Sequence, residues 1–283
     1  MADDAPVANQ SIVLGQAVEI RPGRTVSLAV HAGGARADTA VFLCHGAGGN
    51  MNQWRNQWAL LTGLGYSVIA WDFAGHGDSP SPRRAEAYDG EAFVADYLAL
   101  IEAYGARRNI LVGHSYGARL TLCVLLALKA RGQLGRVERA ILLGAPPPIR
   151  TLGLGPIATW PLWLLILMRP LLSRNFVKLA WDAKADPALV RYEDRATRRN
   201  SLFMMKALMI RSARLDAADL AGLTLPVLIL AGDHDGLTPP AGGEALARLL
   251  PDARLEILAD CGHQIMLEQP ARTNALIRAF IGA

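Results

Sequence analysis

The stretch Asn109–Gly117, NILVGHSYG, decides how this chain is read. Ile110, Leu111 and Val112 form a short apolar run rich in β-branched residues, and a helical pattern begins near Tyr116 and continues to Arg131. A strand therefore runs through a sharp turn straight into a helix, with Ser115 at the turn. So tight a turn needs small residues two positions to either side, because a Cβ at Gly113 or Gly117 would crowd the adjoining backbone. Ser115 is then held up and exposed at a helix N-terminus, where backbone N–H groups and the helix dipole favour developing negative charge. The five-residue pattern alone is weak, since a chain with this much Gly and Ser can produce it by chance. Its place after an apolar strand and ahead of a helix carries the expectation that Ser115 is a nucleophile.

Working outward, short apolar runs alternate with longer helical patterns. Strand-like stretches fall at Ser11–Ile20, Thr25–His31, Ala40–Cys44, Ser67–Trp71, Ile110–Gly113, Ala140–Leu143, Val227–Leu230 and Arg254–Leu258. Helix candidates lie at Gln53–Leu64, Gly90–Tyr104, Tyr116–Arg131, Ala241–Leu250 and Pro270–Ile281. Continuously apolar strands suit a sheet buried on both faces, and the alternation predicts a mostly parallel, doubly wound α/β sheet. The first two stretches, separated by Arg21, Pro22, Gly23 and Arg24, predict an antiparallel edge pair. From Pro146 to about residue 216 the alternation breaks. This interval predicts a helical cap inserted into a core made of residues 1–145 and 217–283.

Composition bounds the function. The 283 residues are 52% hydrophobic and 19% charged, too apolar for a disordered chain and long enough for one large domain with an insertion. Cys44, Cys123 and Cys261 stand far apart and suggest neither a disulfide framework nor a metal pattern, so no metal and no cofactor is expected. Met1–Gln10 reads as neither a secretory signal nor an organelle presequence, which makes the cytoplasm the expected compartment. Of the net charge of +4, residues Leu152–Arg214 supply eleven Lys or Arg against four Asp or Glu, a surplus of +7. No nucleic-acid module accompanies that basic region, and nucleic acid is not an expected partner.

A serine hydroxyl needs a base and the base needs an orienting acid. Among six histidines, His263 lies just past the last strand and ahead of the final helix, where a loop at the carboxyl edge of the sheet would return to Ser115. His45, His114, His76 and His31 sit in turns or at a hairpin edge and read as structural. The strand Val227–Leu230 runs into AGDHDGLTPP, which offers Asp233 and Asp235; Asp233 could instead cap the turn, and spacing alone does not choose between them. The loop HGAGGN after Cys44 can bring a backbone N–H to a bound carbonyl, making Ala47 and Tyr116 the expected pair of oxyanion donors. A phosphate cradle is the rival reading of that loop, but the Walker lysine and the spaced GxGxxG are missing.

Taken in order, HGAGG, DFAGHGDS, GHSYG, GDHDGLTPP and CGHQIMLEQP resemble the α/β-hydrolase superfamily over nearly the whole chain outside the cap. The resemblance implies an α/β-hydrolase fold and a serine hydrolase of the esterase or lipase kind, acting through an acyl-enzyme on a small-molecule carboxylic ester. It also implies that Asp235, the second aspartate of the G-D-x-D loop, is the acid, and that Asp72 and His76 belong to a structural turn after the fourth strand. Haloalkane dehalogenases and epoxide hydrolases of this fold carry aspartate where this chain has Ser115. Ala47 departs from the lipase-type HGGG, which bears on bulky esters. Carbon–carbon bond hydrolases, thioesterases, lactonases and acyltransferases share the triad, and a catalytically idle binding protein is the rival from outside the enzymes.

Substrate choice is expected to lie in the cap. Ile157, Trp160 and Leu162–Met168 form an apolar run interrupted by Pro161 and closed by Arg169 and Pro170, too short to span a bilayer. One reading is a helix whose apolar face covers the core; the other is an acyl-chain tunnel or a membrane-facing lid, with the following cations meeting anionic headgroups. The substrate-pocket candidates are His45, Gly46, Trp160, Trp163, Met205 and Met209, and apolar or medium-chain acyl groups are the expected substrates. Peripheral membrane contact through the cap is a further expectation.

Overall fold

The computed structural model describes residues 13–149 and 159–283. Eight strands, β1 (Gln16–Arg21), β2 (Arg24–His31), β3 (Arg36–Cys44), β4 (Tyr66–Trp71), β5 (Arg108–His114), β6 (Val137–Leu143), β7 (Val227–Gly232) and β8 (Ala253–Leu258), form one sheet in the order β1-β2-β4-β3-β5-β6-β7-β8. Strands β3 to β8 run parallel, while β2 pairs antiparallel with both β1 and β4. The anticipated first strand starts later than its pattern, at Gln16, and residues 11 and 12 lie outside the described residues.

Helices α1 (Arg55–Gly63), α2 (Gly90–Tyr104), α3 (Tyr116–Ala130), α7 (Pro240–Leu249) and α9 (Pro270–Ile281) flank the sheet, with the single turn α8 (Ile265–Glu268) leading into α9. Side chains alternate across each strand, so Phe42, Leu111, Leu142 and Ile229 pack on one face with Tyr97 of α2 and Leu246 of α7. Val41, Leu43, Ile110, Val112, Ile141 and Leu143 face the other side with Leu61 of α1 and Ile277 of α9. Both faces are covered, which is why the strands read as continuous apolar runs rather than alternating ones. The first helix is shorter than its pattern, because Met51–Trp54 forms a tighter 3₁₀ turn with Asn50 as its cap.

Between β6 and β7 stand α4 (Leu162–Ala180), α5 (Pro187–Arg198) and α6 (Leu202–Ile210). Pro170 does not close the apolar run, as the sequence suggested; the helix continues through it to Ala180. Pro170 is solvent-exposed, so water can take up the carbonyl that its missing N–H leaves free. A buried Arg55–Glu193 ion pair at 2.7 Å joins α5 to α1. Ile157 lies outside the described residues.

The register sets where loops converge. Cys44 pairs with Gly113, His114 with Leu143 and Gly232 with Leu258, so the carboxyl ends of β3, β5, β6, β7 and β8 open on one edge. The segments that follow these ends carry Ala47, Ser115, Asp235 and His263.

Candidate active site

The turn after β5 is as tight as its glycines demand. A Cβ on Gly113 would lie 2.5 Å from the Gly117 carbonyl oxygen, and one on Gly117 would lie 2.3 Å from that of Cys44. Ser115 takes φ 53° and ψ −115°, a left-handed geometry that costs a non-glycine residue about 1–3 kcal/mol. Its N–H donates to the Leu143 carbonyl at 2.8 Å, and its own carbonyl accepts from Ala118 and Arg119 in the first turn of α3. The half-buried hydroxyl therefore stands on a backbone fixed from both sides. The Tyr116 N–H opens α3, where the first N–H groups have no intrahelical acceptor. The Tyr116 ring points into the core against Phe73 and Phe93.

His263 comes back to the same edge. Its ring lies against Gly144, whose φ of 52° and missing side chain make room: a Cβ there would sit 3.1 Å from the imidazole. Ser115 bonds to Leu143 and His263 abuts Gly144, so two consecutive residues at the end of β6 hold Ser115 and His263 at one edge. The His263 Nδ1–H donates to Asp235 Oδ2 at 2.7 Å, which leaves Nε2 as the ring nitrogen not held by the acid. Asp235 Oδ1 accepts the N–H groups of Leu237 and Thr238, both at 2.8 Å. Burial pushes the Asp235 carboxyl up, but the His263 hydrogen bond and charge, with Thr238, outweigh it and hold the group below the usual carboxylate range. Asp233 instead accepts from the Cys261 N–H at 3.1 Å and so ties its loop to the one after β8, while the turn's own N–H groups go to Asp235.

Thr238 was not anticipated. Its buried hydroxyl lies 2.7 Å from Asp235 Oδ2, 2.9 Å from the Gly144 carbonyl and 3.0 Å from His263 Nδ1. The signal available was a hydroxyl residue three positions after an aspartate in a turn. His114 is the second addition: its Nε2–H donates to the His263 carbonyl at 2.9 Å, and the two rings are 4.7 Å apart. Burial, with the charge of His263, drives the His114 imidazole down to about 3, so it stays neutral.

The loop after β3 is aimed by His45. The Phe73 N–H donates to His45 Nε2 at 3.0 Å, which fixes the tautomer, and Nδ1–H donates to the Gly46 carbonyl at 2.7 Å. The planar trans peptide then turns the Ala47 N–H the opposite way. Gly46 packs on the elbow, since a Cβ there would be 3.1 Å from Ser115 Cβ. With both ring nitrogens engaged and the side chain fully buried, His45 cannot line a substrate pocket; this corrects the reading that placed it there. His76 is buried beside it and pushed down to about 4, and Asp72 accepts from Met51 and Asp78 in the turn after β4.

Of the remaining pocket candidates, Met205 approaches the loop, its Cε lying 3.5 Å from a Cβ position on Gly48. Met209, one turn on, packs partly buried against the core. Trp160 is half-buried, and its carbonyl accepts from Lys206. Trp163 is 66% exposed and faces solvent, so its placement on a pocket wall is also corrected: α4 turns that side outward and buries Leu165 instead. The three cysteines are free and buried, and no cluster of metal ligands occurs among the described residues. A hollow of about 500 Å³ lined by Ser81, Pro82, Arg83, Ser201 and Phe203 contains none of Ser115, Asp235 and His263.

A parallel sheet with a serine elbow, an aspartate-oriented histidine and a glycine loop at one edge defines a class, and the sequence profile of the alpha/beta hydrolase family matches residues 41–276; the chain belongs to that family. It is 31% identical over 268 residues to protein ABHD8 of Mus musculus, covering 92% of this chain and 60% of that one, so it spans about three fifths of the length of this relative. Non-heme chloroperoxidase of Streptomyces lividans is 28% identical over 88% of this chain and 93% of its own. Among solved structures, an esterase from Exiguobacterium antarcticum superposes with a TM-score of 0.80 at 22% identity, over 96% of this chain and all of that one.

Proposed function

We propose that the protein is a serine hydrolase of carboxylic esters, with Ser115, His263 and Asp235 as the triad. The observation that carries this is the buried His263–Asp235 pair at 2.7 Å, beside a strained Ser115 elbow that the same β6 loop supports. In this reading Ser115 Oγ attacks the ester carbonyl while its proton passes to His263 Nε2. The Ala47 and Tyr116 N–H groups take the oxyanion, and Asp235 steadies the imidazolium. The C–O bond to the alcohol then breaks, with the proton returned by His263, and water repeats the sequence to release the acid. Met205 and Met209 would line an apolar acyl site, which favours medium-chain substrates.

The triad of esters also serves thioesters, lactones and certain carbon–carbon bonds, and a panel of these alongside p-nitrophenyl esters separates them. Ser115→Ala is expected to lower kcat on p-nitrophenyl butyrate by on the order of 10⁶, and a fluorophosphonate probe should label Ser115 in the parent chain. Wild-type turnover by Ser115→Ala would refute the assignment.

A further inference from the structure

The outward face of α4 is apolar along its first half and basic along its second. Trp163, Ile166, Leu167 and Leu171 are 66%, 59%, 68% and 59% exposed, and at 3.6 residues per turn they fall on one side of the helix with Pro170. Arg174 and Lys178 continue that side and are also exposed. Contiguous exposed apolar surface of this kind marks an interaction site rather than ordinary surface. Charge complementarity indicates what covers it. Most other cap cations are engaged: Lys184 with Asp260, Arg198 with Asp194, Arg199 with Asp78, Arg211 with Asp89, and Arg169 with the carbonyls of Arg198 and Asn200. Arg174 and Lys178 have no such partner among the described residues. Leu162–Ala180 contains no acidic residue, so a second copy laid on this helix would find no counter-charge in it. No helix among the described residues is long and apolar enough to cross a membrane.

We propose that α4 lies on an anionic phospholipid surface, with Trp163, Ile166, Leu167 and Leu171 at the headgroup–acyl boundary and Arg174 and Lys178 on lipid phosphates. The helix is tied directly to the site. Its Leu179 carbonyl accepts the Gly236 N–H and its Ala180 carbonyl accepts the His263 N–H, at 2.9 and 2.8 Å. Docking α4 therefore holds the acid and base loops within one helix length of the bilayer, which suits amphiphilic esters as substrates. That last clause rests on the hydrolase reading; the docking itself does not.

Flotation with vesicles, run on Ser115→Ala protein so that binding is read without turnover, tests it. The protein is expected to bind phosphatidylcholine vesicles containing phosphatidylglycerol, and pure phosphatidylcholine much less. A basic side chain near an anionic surface contributes about fivefold in partitioning, so Arg174→Gln with Lys178→Gln should weaken binding by roughly 30-fold, in a salt-dependent way. Leu167→Glu, on the exposed side, should lower it more than tenfold while the parent enzyme carrying it keeps its activity on a water-soluble acetate ester and its melting temperature. Absence of binding to the anionic vesicles overturns the proposal, as does binding that neither set of substitutions changes. A dimer that Leu167→Glu converts to monomer would show that a second copy covers the face, and would overturn it equally.

Discussion

Thr238→Val replaces one hydroxyl by a methyl of nearly the same shape, at the point where three elements of the candidate site meet. The hydroxyl stands 2.7 Å from Asp235 Oδ2 and 3.0 Å from His263 Nδ1, and its third neighbour is the Gly144 carbonyl at 2.9 Å. Its single proton goes to Asp235 or Gly144, and its lone pairs receive part of the His263 Nδ1–H. A hydrogen bond to a charged group contributes about 1.5–3 kcal/mol, and here the loss falls on the pair that must steady the imidazolium as it forms. If the full amount is felt only in the transition state, kcat drops roughly 10- to 150-fold with KM nearly unchanged. To the extent that the proton is shared with the Gly144 carbonyl, that group also loses a donor, which costs the fold at most about 1 kcal/mol. Steady-state kinetics on p-nitrophenyl butyrate, paired with thermal melts, separate these two effects. Thr238→Ser keeps the hydroxyl and should recover most of kcat. Wild-type kcat in Thr238→Val would refute the reasoning, as would a Thr238→Ser enzyme no better than Thr238→Val.

Two further predictions follow from the neighbouring groups. Asp235→Asn should lower kcat by about 10⁴, whereas Asp233→Ala should keep kcat within a few-fold and lose about 1 kcal/mol of stability with the Cys261 N–H bond; the same kinetic and melting assays decide. For pH, burial holds His114 down at about 3, below its ordinary 6.5, so the unfolded chain takes up that proton first. Stability from this group is complete above 6.5 and is lost as pH falls toward 3. Urea unfolding between about pH 5.5 and 4.5 should therefore lose about 1.4 kcal/mol more per unit in wild type than in His114→Gln; equal slopes would refute the burial argument.

The regions of the fold that the sequence marked best are those where one physical requirement dominates. Gly90–Tyr104 and Pro270–Ile281 are helices with the ends their patterns indicated, because a single buried stripe and a clear turn delimit each. The core strands were legible because burial on both faces makes them uniformly apolar. The choice between Asp233 and Asp235 was not, since a two-residue difference in a turn decides which carboxylate faces His263. The Thr238 hydroxyl beside Asp235 left a local signal, but its contact with His263 and that of His114 with His263 span 25 and 149 positions, and local pattern carries no trace of such pairings. The α4 run misled for the opposite reason: apolar on nearly every side, it gave no periodicity from which to tell that Trp163 turns outward and Leu165 inward.

The carbonyls of Leu179 and Ala180, which accept from Gly236 and His263, bear on how this chain can be recombined. By topology the insertion is a replaceable cassette, flanked by β6 and β7. By hydrogen bonding its seam runs elsewhere, since the last turn of α4 supplies acceptors to the loops that carry Asp235 and His263. Trp181 and Asp182 continue the join: a Cβ on Gly262 would strike their backbone at 2.8 and 2.7 Å, and the Asp182 N–H donates to Glu268. A graft exchanging the cap for another should therefore be cut before Val177 and leave residues 177–182 with the recipient. A crossover placed at the ends of the insertion would transplant part of the backbone that supports His263.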